Sequence, residues 1–165
     1  MLENQVKPIY LGVGSNVGNT KKNIEKTKYK LVENNIKILQ SSKYYESLSW
    51  PDPKNPKFLN IVLSINTNFT PLELIKICKK IEKDLGRKKA PRNSPRVCDI
   101  DILDFKSKKM IGEVILPHPR MHTRNFVLLP LFELDKDWKH PVSNLSIKKL
   151  ILSLSNNDIR SIKQI

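Results

Sequence analysis

Two aspartates, Asp99 and Asp101, are the residues whose types and spacing most directly indicate chemistry. They are separated by one residue within an apolar, β-branched stretch, VCDIDIL at residues 97–103. In a β-strand, residues i and i+2 point to the same face, so the two carboxylates would stand about 6–7 Å apart at Cα. Such carboxylates repel unless a proton or cation lies between them, and Mg²⁺ prefers oxygen ligands and also binds phosphates. The alternative, an exposed pair without a ligand, is disfavoured because Asp is rare inside strands.

A run of cations comes directly before the aspartates along the chain. It begins after Gly86 and contains Arg87, Lys88, Lys89, Arg92 and Arg96. Cations in this position would stabilise a polyphosphate bound beside a magnesium site. The run and the aspartate pair together predict magnesium-dependent chemistry on a nucleoside triphosphate.

A second cluster of candidate residues follows the sequence LPHP. His118 lies between two prolines that restrict its backbone, and His122 and Arg124 come shortly after it. A histidine and two arginines that face phosphates are the simplest functional interpretation, while a surface-loop histidine is the alternative. Zinc binding by the two histidines is disfavoured because it would need a helix through Pro119 and a third ligand.

Three further residues could bind a flat heterocycle. The rings of Phe58 and Phe126 could stack on a π system, and the Asn60 amide could pair with a ring amide through both its donor and its acceptor. Each phenylalanine, taken alone, is equally typical of a hydrophobic core. Lys79 and Glu82 share one side of a predicted helix, which is also typical of a solvated helix face.

The glycine-rich segment GVGSNVGN, residues 12–19, matches neither GxxxxGK[ST] nor GxGxxG. We therefore expect a tight turn between a strand and a helix rather than a phosphate-binding loop. Residues 14–16 could still line a site at the end of that strand.

Length and composition limit the class of protein. The chain has 165 residues and a net charge of +14, so we expect a single domain over residues 1–165. The charge suits a polyanionic partner, but a lysine-rich composition explains most of it. Cys78 and Cys98 fit no metal-binding spacing and are predicted to be small buried residues. The sequence contains no apolar run of about 20 residues, and a cytoplasmic protein without membrane contact is expected.

The elements that would position these residues follow a β-α-β-β-α-β order. Predicted strands cover residues 6–13, 36–45, 58–67, 97–105 and, briefly, 110–116. Predicted helices cover residues 20–34, 71–85, part of 116–134, and 146–155. This order predicts an α+β fold of the ferredoxin-like βαββαβ type, an antiparallel sheet with helices on one face and a C-terminal extension.

Several details of these elements are also predicted. Thr20 and Thr70 are expected to cap the first two helices, with Pro71 at the first helical position of the second. The buried face of the first helix is expected to contain Ile24, Tyr29, Leu31 and Val32. Asp104 is out of register with the aspartate pair and is expected to end its strand.

Five segments together resemble the 6-hydroxymethyl-7,8-dihydropterin pyrophosphokinases of the folate pathway. They are, in order, YLGVGSNVG, FLNIVLSINT, IEKDLGR, PRVCDIDILDF and LPHPRMHTRNFVLLPLFEL, between about Ile9 and Leu134. That family has a ferredoxin-like fold and transfers the pyrophosphoryl group of ATP to the pterin hydroxymethyl oxygen, releasing AMP. The resemblance implies two Mg²⁺ ions, ATP as co-substrate and the pterin as acceptor, with no nucleic-acid partner. A monomer is expected.

The resemblance also implies a role for each candidate residue. Asp99 and Asp101 match the pair that holds the metal ions. The positions that match ATP-binding residues are Lys79, Glu82, Arg96, His118 and Arg124. The cations of the mobile catalytic loop are Arg87, Lys89 and Arg92. The positions that match the pterin pocket are Ser47, Trp50, Phe58, Asn60 and Phe126.

The sequence departs from the family pattern in the cationic loop. The loop is one residue shorter, Asn93 stands where many members carry tryptophan, and Lys89 stands where arginine is common, which replaces a fork of donors with a point charge. Two alternatives stay open: another magnesium-dependent kinase with a relic pterin pocket, and an RNA-binding module. The RNA-binding alternative lacks the exposed strand aromatics it would need, since the central strands read YLGVG and NIVLSINT.

Overall fold

A computed structural model describes residues 6–165 and contains, within them, a six-stranded antiparallel sheet. The predicted domain also includes residues 1–5, which lie outside the described residues. The elements are β1 (Ile9–Ser15), α1 (Thr20–Glu33), β2 (Lys37–Ser41), β3 (Tyr45–Ser47), β4 (Phe58–Asn66), α2 (Pro71–Asp84) and β5 (Asp99–Phe105), followed by a 3₁₀ turn (Met121–Thr123), α3 (Asn125–Leu134), α4 (Ile147–Leu152), α5 (Asn156–Arg160) and β6 (Lys163–Gln164). The α+β class is confirmed.

The strand order is β5-β1-β4-β3-β6, and β2 also pairs with β4. The predicted βαββαβ sequence is therefore retained when β2 and β3 are counted as one strand. The prediction of one continuous strand over residues 36–45 was wrong. The pairing of β2 with β4 shifts register between Ile38 and Gln40. Beyond the end of β2, the Val62 N–H donates to the Ser42 side-chain oxygen at 2.9 Å instead of to a strand carbonyl.

The sheet is covered on both faces. On one face, α1 and α2 pack against strand residues such as Ile100 and Ile102, in the larger hydrophobic core. On the other face, α3 and α4 pack over Tyr10, Val62 and Leu103. The C-terminal extension thus supplies the second layer, and it leaves open the polar end of the sheet formed by β5, β1 and β4.

The helix ends are largely as predicted. Thr70 and Glu73 form the capping box of α2, with Pro71 in the first turn. The cap of α1 is Asn19 rather than Thr20, because the Asn19 side chain accepts the Lys22 N–H at 3.0 Å. The buried face of α1 was predicted in part.

The buried residues of α1 are Ile24, Thr27 and Leu31, whereas Tyr29 and Val32 are exposed. Positions 24, 27 and 31 follow the i, i+3, i+7 spacing of one helix face, and positions 29 and 32 fall beside it.

Three predictions near the C-terminal end of the chain were wrong. Residues 110–116 form only one bridge, between Met110 and Leu116. The helix expected over residues 146–155 ends at Leu152, and Ser155 caps the separate helix α5. Asp104 does not end its strand, since β5 continues to Phe105. No helix of the described residues is long and apolar enough to span a bilayer.

Candidate active site

The register of the sheet places one carboxylate and one amide in a single row. Asp99 of β5 pairs with Gly14 of β1, and Gly14 pairs with Asn60 of β4. Residues paired directly across antiparallel strands point to the same face, and neighbouring strands lie about 4.8 Å apart. Asp99 and Asn60 are therefore about 10 Å apart at the backbone, with a glycine between them. Asp101 pairs with Gly12 in the next row.

A cavity of about 1090 Å³ opens above these rows. Most of the residues singled out in the sequence line it, namely Ser47, Trp50, Phe58, Asn60, Lys79, Arg87, Arg92, Arg96, Asp99, Asp101, His118, Arg124 and Phe126. Of the residues to which the family resemblance gives a role, two do not: Glu82 is buried beneath the surface, and Lys89 lies in the cationic loop outside the lining. Residues that are more than 70 positions apart in sequence thus come together in one cavity.

Each aspartate has its own cationic partners. Asp99 Oδ1 lies 3.0 Å from Arg87 Nη1 and 3.4 Å from Arg96 Nη1. Asp101 Oδ2 lies 3.6 Å from Arg124 Nη1. The two carboxylates thus stand at the centre of a ring of arginines, which neutralises them here and which could also bind phosphate oxygens.

Glu82 connects helix α2 to strand β5, which carries the two aspartates. Its side chain is 3% exposed, and its Oε1 accepts the Ile100 N–H at 2.8 Å. Its Oε2 lies 2.7 Å from Arg87 Nη1 and 3.6 Å from Lys79 Nζ. Burial raises the pKa of Glu82, while the Ile100 N–H and the two cations oppose that rise. Because β5 is an edge strand, this hydrogen bond satisfies a backbone donor between the two aspartates.

His118 is held as a neutral imidazole with a defined tautomer. Its Nδ1 accepts the Arg120 N–H at 3.1 Å, so the ring proton of the neutral form is on Nε2. Nε2 lies 3.8 Å from Asp101 Oδ2 and faces the carboxylates. Burial, together with the nearby Arg124 and Arg120, lowers the pKa of His118 to about 4. At neutral pH it can donate a hydrogen bond into the cavity without carrying charge.

The aspartate pair fits a magnesium–phosphate site. Burial and the neighbouring Asp99 carboxylate raise the pKa of Asp101 to about 6, so a cation beside the pair would relieve their repulsion. The described residues contain no cluster of three or more His, Cys, Asp or Glu side chains that could ligate a metal. Mg²⁺ commonly binds through one or two carboxylates and completes its shell with water and substrate phosphates, whereas zinc needs at least three protein ligands.

Asn60 presents an acceptor to the cavity. Its Nδ2 donates to the Tyr45 carbonyl at 3.1 Å and to Ser47 Oγ at 2.9 Å. The orientation of the amide is fixed, because a carbonyl oxygen can only accept. In this structure the amide hydrogens are already used and Oδ1 alone is available, so pairing of Asn60 with a ring through both donor and acceptor stays a prediction.

Two aromatic rings also line the cavity. They are those of Phe58 and Phe126, and an arginine lies over each ring. Arg96 Cζ is 5.8 Å from the centroid of Phe58, and Arg124 Cζ is 5.3 Å from the centroid of Phe126. Each ring thus lies beside an arginine that also pairs with one of the two aspartates.

The arrangement matches a known family of proteins. The sequence profile of the 7,8-dihydro-6-hydroxymethylpterin-pyrophosphokinase (HPPK) family matches residues 10–136, which run from the second residue of β1 to just beyond α3. The chain belongs to the HPPK family. All of the candidate site residues fall within the matched range.

Relatives of two kinds resemble this HPPK chain. A 2-amino-4-hydroxy-6-hydroxymethyldihydropteridine pyrophosphokinase of Aquifex aeolicus is 38% identical over 142 residues, which are 86% of this chain and 88% of the relative. The folic acid synthesis protein fol1 of Pneumocystis carinii is 37% identical over 93% of this chain, but the match is only 21% of that protein. The chain thus spans most of the first relative and about a fifth of the second.

Solved HPPK structures share the fold. An HPPK-DHPS crystallised with substrates superposes with a TM-score of 0.74 at 16% identity, over 97% of this chain and 47% of that one. Wild-type HPPK-DHPS of Plasmodium falciparum gives a TM-score of 0.73 at 18% identity, over 99% of this chain and 45% of that one. These likenesses concern the fold alone.

Asn16 is a residue of this HPPK site whose role the sequence did not indicate. Its Oδ1 accepts the Arg96 N–H at 2.7 Å, and its own N–H donates to the Arg96 carbonyl at 3.1 Å. Its Nδ2 donates to the Pro56 carbonyl at 3.1 Å and to Ser49 Oγ at 3.3 Å. Asn16 therefore joins the end of β1, the base of the cationic loop and the loop that carries Trp50. The sequence had indicated only that residues 14–16 could line a site at the end of this strand.

Proposed function

We propose that residues 1–165 form one pyrophosphokinase domain that transfers the pyrophosphoryl group of ATP to 6-hydroxymethyl-7,8-dihydropterin, releasing AMP, in folate biosynthesis. The observation that carries this proposal is the row across three strands. One end of the row has the carboxylate of Asp99, and the other end has the acceptor oxygen of Asn60. A polyphosphate donor and a heterocyclic acceptor placed at these two ends would meet between them.

The ATP end of the cavity is cationic. Arg96, His118 and Arg124 each lie within 4 Å of one of the two aspartates, and Lys79 also lines the cavity. We assign them to the phosphates of ATP. Two Mg²⁺ ions held by Asp99 and Asp101 would neutralise phosphate charge and polarise the attacking hydroxyl. Hydrogen-bond donors among the lining residues would stabilise the developing charge without transferring a proton. This is consistent with the absence of a clear general base among the described lining residues.

The acceptor end is a slot for a flat ring. Phe58 and Phe126 would lie on the two faces of the pterin, and Asn60 Oδ1 would accept a hydrogen bond from a ring N–H or amino group. Ser47 supports Asn60 through its hydroxyl, and the exposed Trp50 borders the slot. Fixing the ring in this way holds the hydroxymethyl oxygen close to the β-phosphate, which contributes much of the rate acceleration in such reactions.

The cationic loop is assigned as a lid. We propose that Arg87, Lys89 and Arg92 approach the triphosphate when the loop closes. In the structure, Arg87 is instead paired with Asp99 and Glu82, so it must leave Asp99 for the lid to act. Asn93 has a φ of 65°, in the left-handed region that asparagine tolerates better than tryptophan.

The expected assembly is simple. We propose that the protein acts as a monomer, since a single chain already brings the residues assigned to metal, ATP and pterin to one cavity. Cys78 and Cys98 are free and buried, which is compatible with the proposed cytoplasmic location.

The reaction class is tested by incubating the protein with ATP, Mg²⁺ and 6-hydroxymethyl-7,8-dihydropterin and separating the nucleotides. We expect one AMP for each pterin diphosphate formed. ADP as the product would mean ordinary phosphoryl transfer and would overturn the proposal. Asp101→Ala serves as the control and should form no AMP, because it lacks one of the proposed metal ligands.

A further inference from the structure

Gly14 stands at the centre of the site. It is the residue between Asp99 and Asn60 in the row across β5, β1 and β4, and it lines the cavity. Its backbone is part of a regular strand and does not have the positive φ of Gly18 or Gly86. Backbone conformation therefore does not require glycine here, and glycine inside a strand is destabilising relative to alanine.

The space that a side chain would occupy explains the glycine. A Cβ at position 14 would lie 3.2 Å from Asn60 Oδ1 and 3.5 Å from Phe58 Cδ1. The first distance is shorter than an ordinary van der Waals contact. Asn60 cannot move aside at low cost, because both hydrogens of its Nδ2 are held by Tyr45 and Ser47.

Gly12, two residues earlier on the same face, differs from Gly14. A Cβ at position 12 would contact the Leu103 side chain at 3.4 Å, so that space is already filled by the protein. At position 14 the neighbours are the acceptor oxygen of Asn60 and the edge of Phe58. The missing side chain thus exposes two groups that we assign to the heterocycle.

We propose that Gly14 is a positioning residue for the acceptor. Because Gly14 has no side chain, the hydroxymethyl group of the pterin can lie against its backbone, between Asn60 and Asp99. This inference rests on the proposed function and deepens it. A methyl group at position 14 would shield Asn60 Oδ1 and occupy the space between the proposed pterin slot and the carboxylates. It would leave the cations around Asp101 untouched, because Gly14 pairs with Asp99 and lies one row away.

The test is Gly14→Ala, with Gly112→Ala as the matched control. Gly112 is outside the cavity, and a Cβ there would have no neighbour within 4 Å. Binding of 6-hydroxymethyl-7,8-dihydropterin and, separately, of the non-hydrolysable ATP analogue with Mg²⁺ is measured by calorimetry. For Gly14→Ala we expect about tenfold weaker pterin binding, as a lost hydrogen bond with added steric conflict would cause. Its affinity for the ATP analogue should match that of Gly112→Ala, and any fall in its melting temperature should be too small to account for the tenfold loss of pterin affinity.

Three results would contradict the role of Gly14. Pterin affinity within about twofold of wild type would show that the methyl does not reach the acceptor's path. An equal loss of ATP-analogue affinity, or a drop in melting temperature that accounts for the loss, would show a general disruption of β1. The proposed function is judged independently, by whether the wild-type protein forms AMP. An active wild type with an unaffected Gly14→Ala variant would overturn only the inference about Gly14.

Discussion

Replacing Glu82 with alanine or with glutamine separates the effect of its hydrogen bond from the effect of its charge. The Glu82 carboxylate accepts the Ile100 N–H at 2.8 Å and lies 2.7 Å from Arg87. Gln retains an oxygen that can accept the same N–H but carries no charge, whereas Ala removes both. The comparison shows which interaction holds β5, and with it the two aspartates, against α2.

The expected magnitudes follow from burial. Glu82→Ala leaves the Ile100 N–H without a partner beside the core, which costs about 1–3 kcal/mol. It also removes buried methylene groups, so we expect a total loss of about 2–4 kcal/mol. For Glu82→Gln we expect a change within about 1 kcal/mol, because Arg87 is partly solvated and retains Asp99 as a partner.

The direction of the pKa shift supports a small effect for glutamine. Burial raises the folded-state pKa of Glu82 above its ordinary value. The stabilisation associated with a raised pKa is present when the carboxyl is protonated at low pH and is lost as pH rises through the folded-state pKa. The ionised form of Glu82 therefore carries a desolvation cost that the neutral glutamine does not have.

The assay is urea unfolding at pH 7, followed by far-UV circular dichroism, with Mg²⁺ affinity measured on the same variants. Only alanine should be strongly destabilised, and it should also bind Mg²⁺ more weakly because its aspartates lose their support. Equal destabilisation by alanine and glutamine would show that the charge, rather than the hydrogen bond, holds β5. An alanine variant as stable as wild type would refute the whole argument.

Three further outcomes are expected. Because the pKa of Asp101 is raised to about 6, protons compete with Mg²⁺ for this carboxylate below that pH. The Mg²⁺ affinity of the wild type, measured by calorimetry, should therefore rise between pH 5 and 7. The Mg²⁺ affinity of Asp101→Asn should stay low and independent of pH over the same range. Arg92→Ala should lower turnover more than pterin affinity in steady-state and binding assays, and weaker pterin binding with an unchanged rate would contradict the lid assignment. Trp138→Phe removes the hydrogen bond that Trp138 Nε1 donates to the buried Asp104 at 2.8 Å. We expect this substitution to reduce the free energy of unfolding by about 1–3 kcal/mol. An unchanged urea midpoint would show that this hydrogen bond does not contribute to stability.

Patterns with a local cause could be predicted from the sequence. The period of two in a strand was enough to place Asp99 and Asp101 on one face, and the Thr70–Glu73 capping box was enough to place the start of α2. The α+β class followed from the order of such segments. Each of these features depends on residues that are close together along the chain.

Features that depend on tertiary contacts could not be predicted. A register shift between Tyr10 and Leu11 places Asp104 opposite Tyr10, where it accepts the Trp138 hydrogen bond instead of ending the strand. Glu82 occupies a helix position equally typical of a solvated face, and only the packing of α2 against β5 buries it. The donors of Asn60 are used by Tyr45 and Ser47, which no local pattern indicates.

The central claim is that the transferred group is the pyrophosphoryl group of ATP and that the pterin receives it. ATP labelled with ³²P at the β-phosphate tests this directly, since that phosphate leaves with the transferred group only in pyrophosphoryl transfer. With Mg²⁺ and 6-hydroxymethyl-7,8-dihydropterin, we expect the label in the pterin product and unlabelled AMP. Label retained in ADP, or released without appearing in the pterin, would contradict the account.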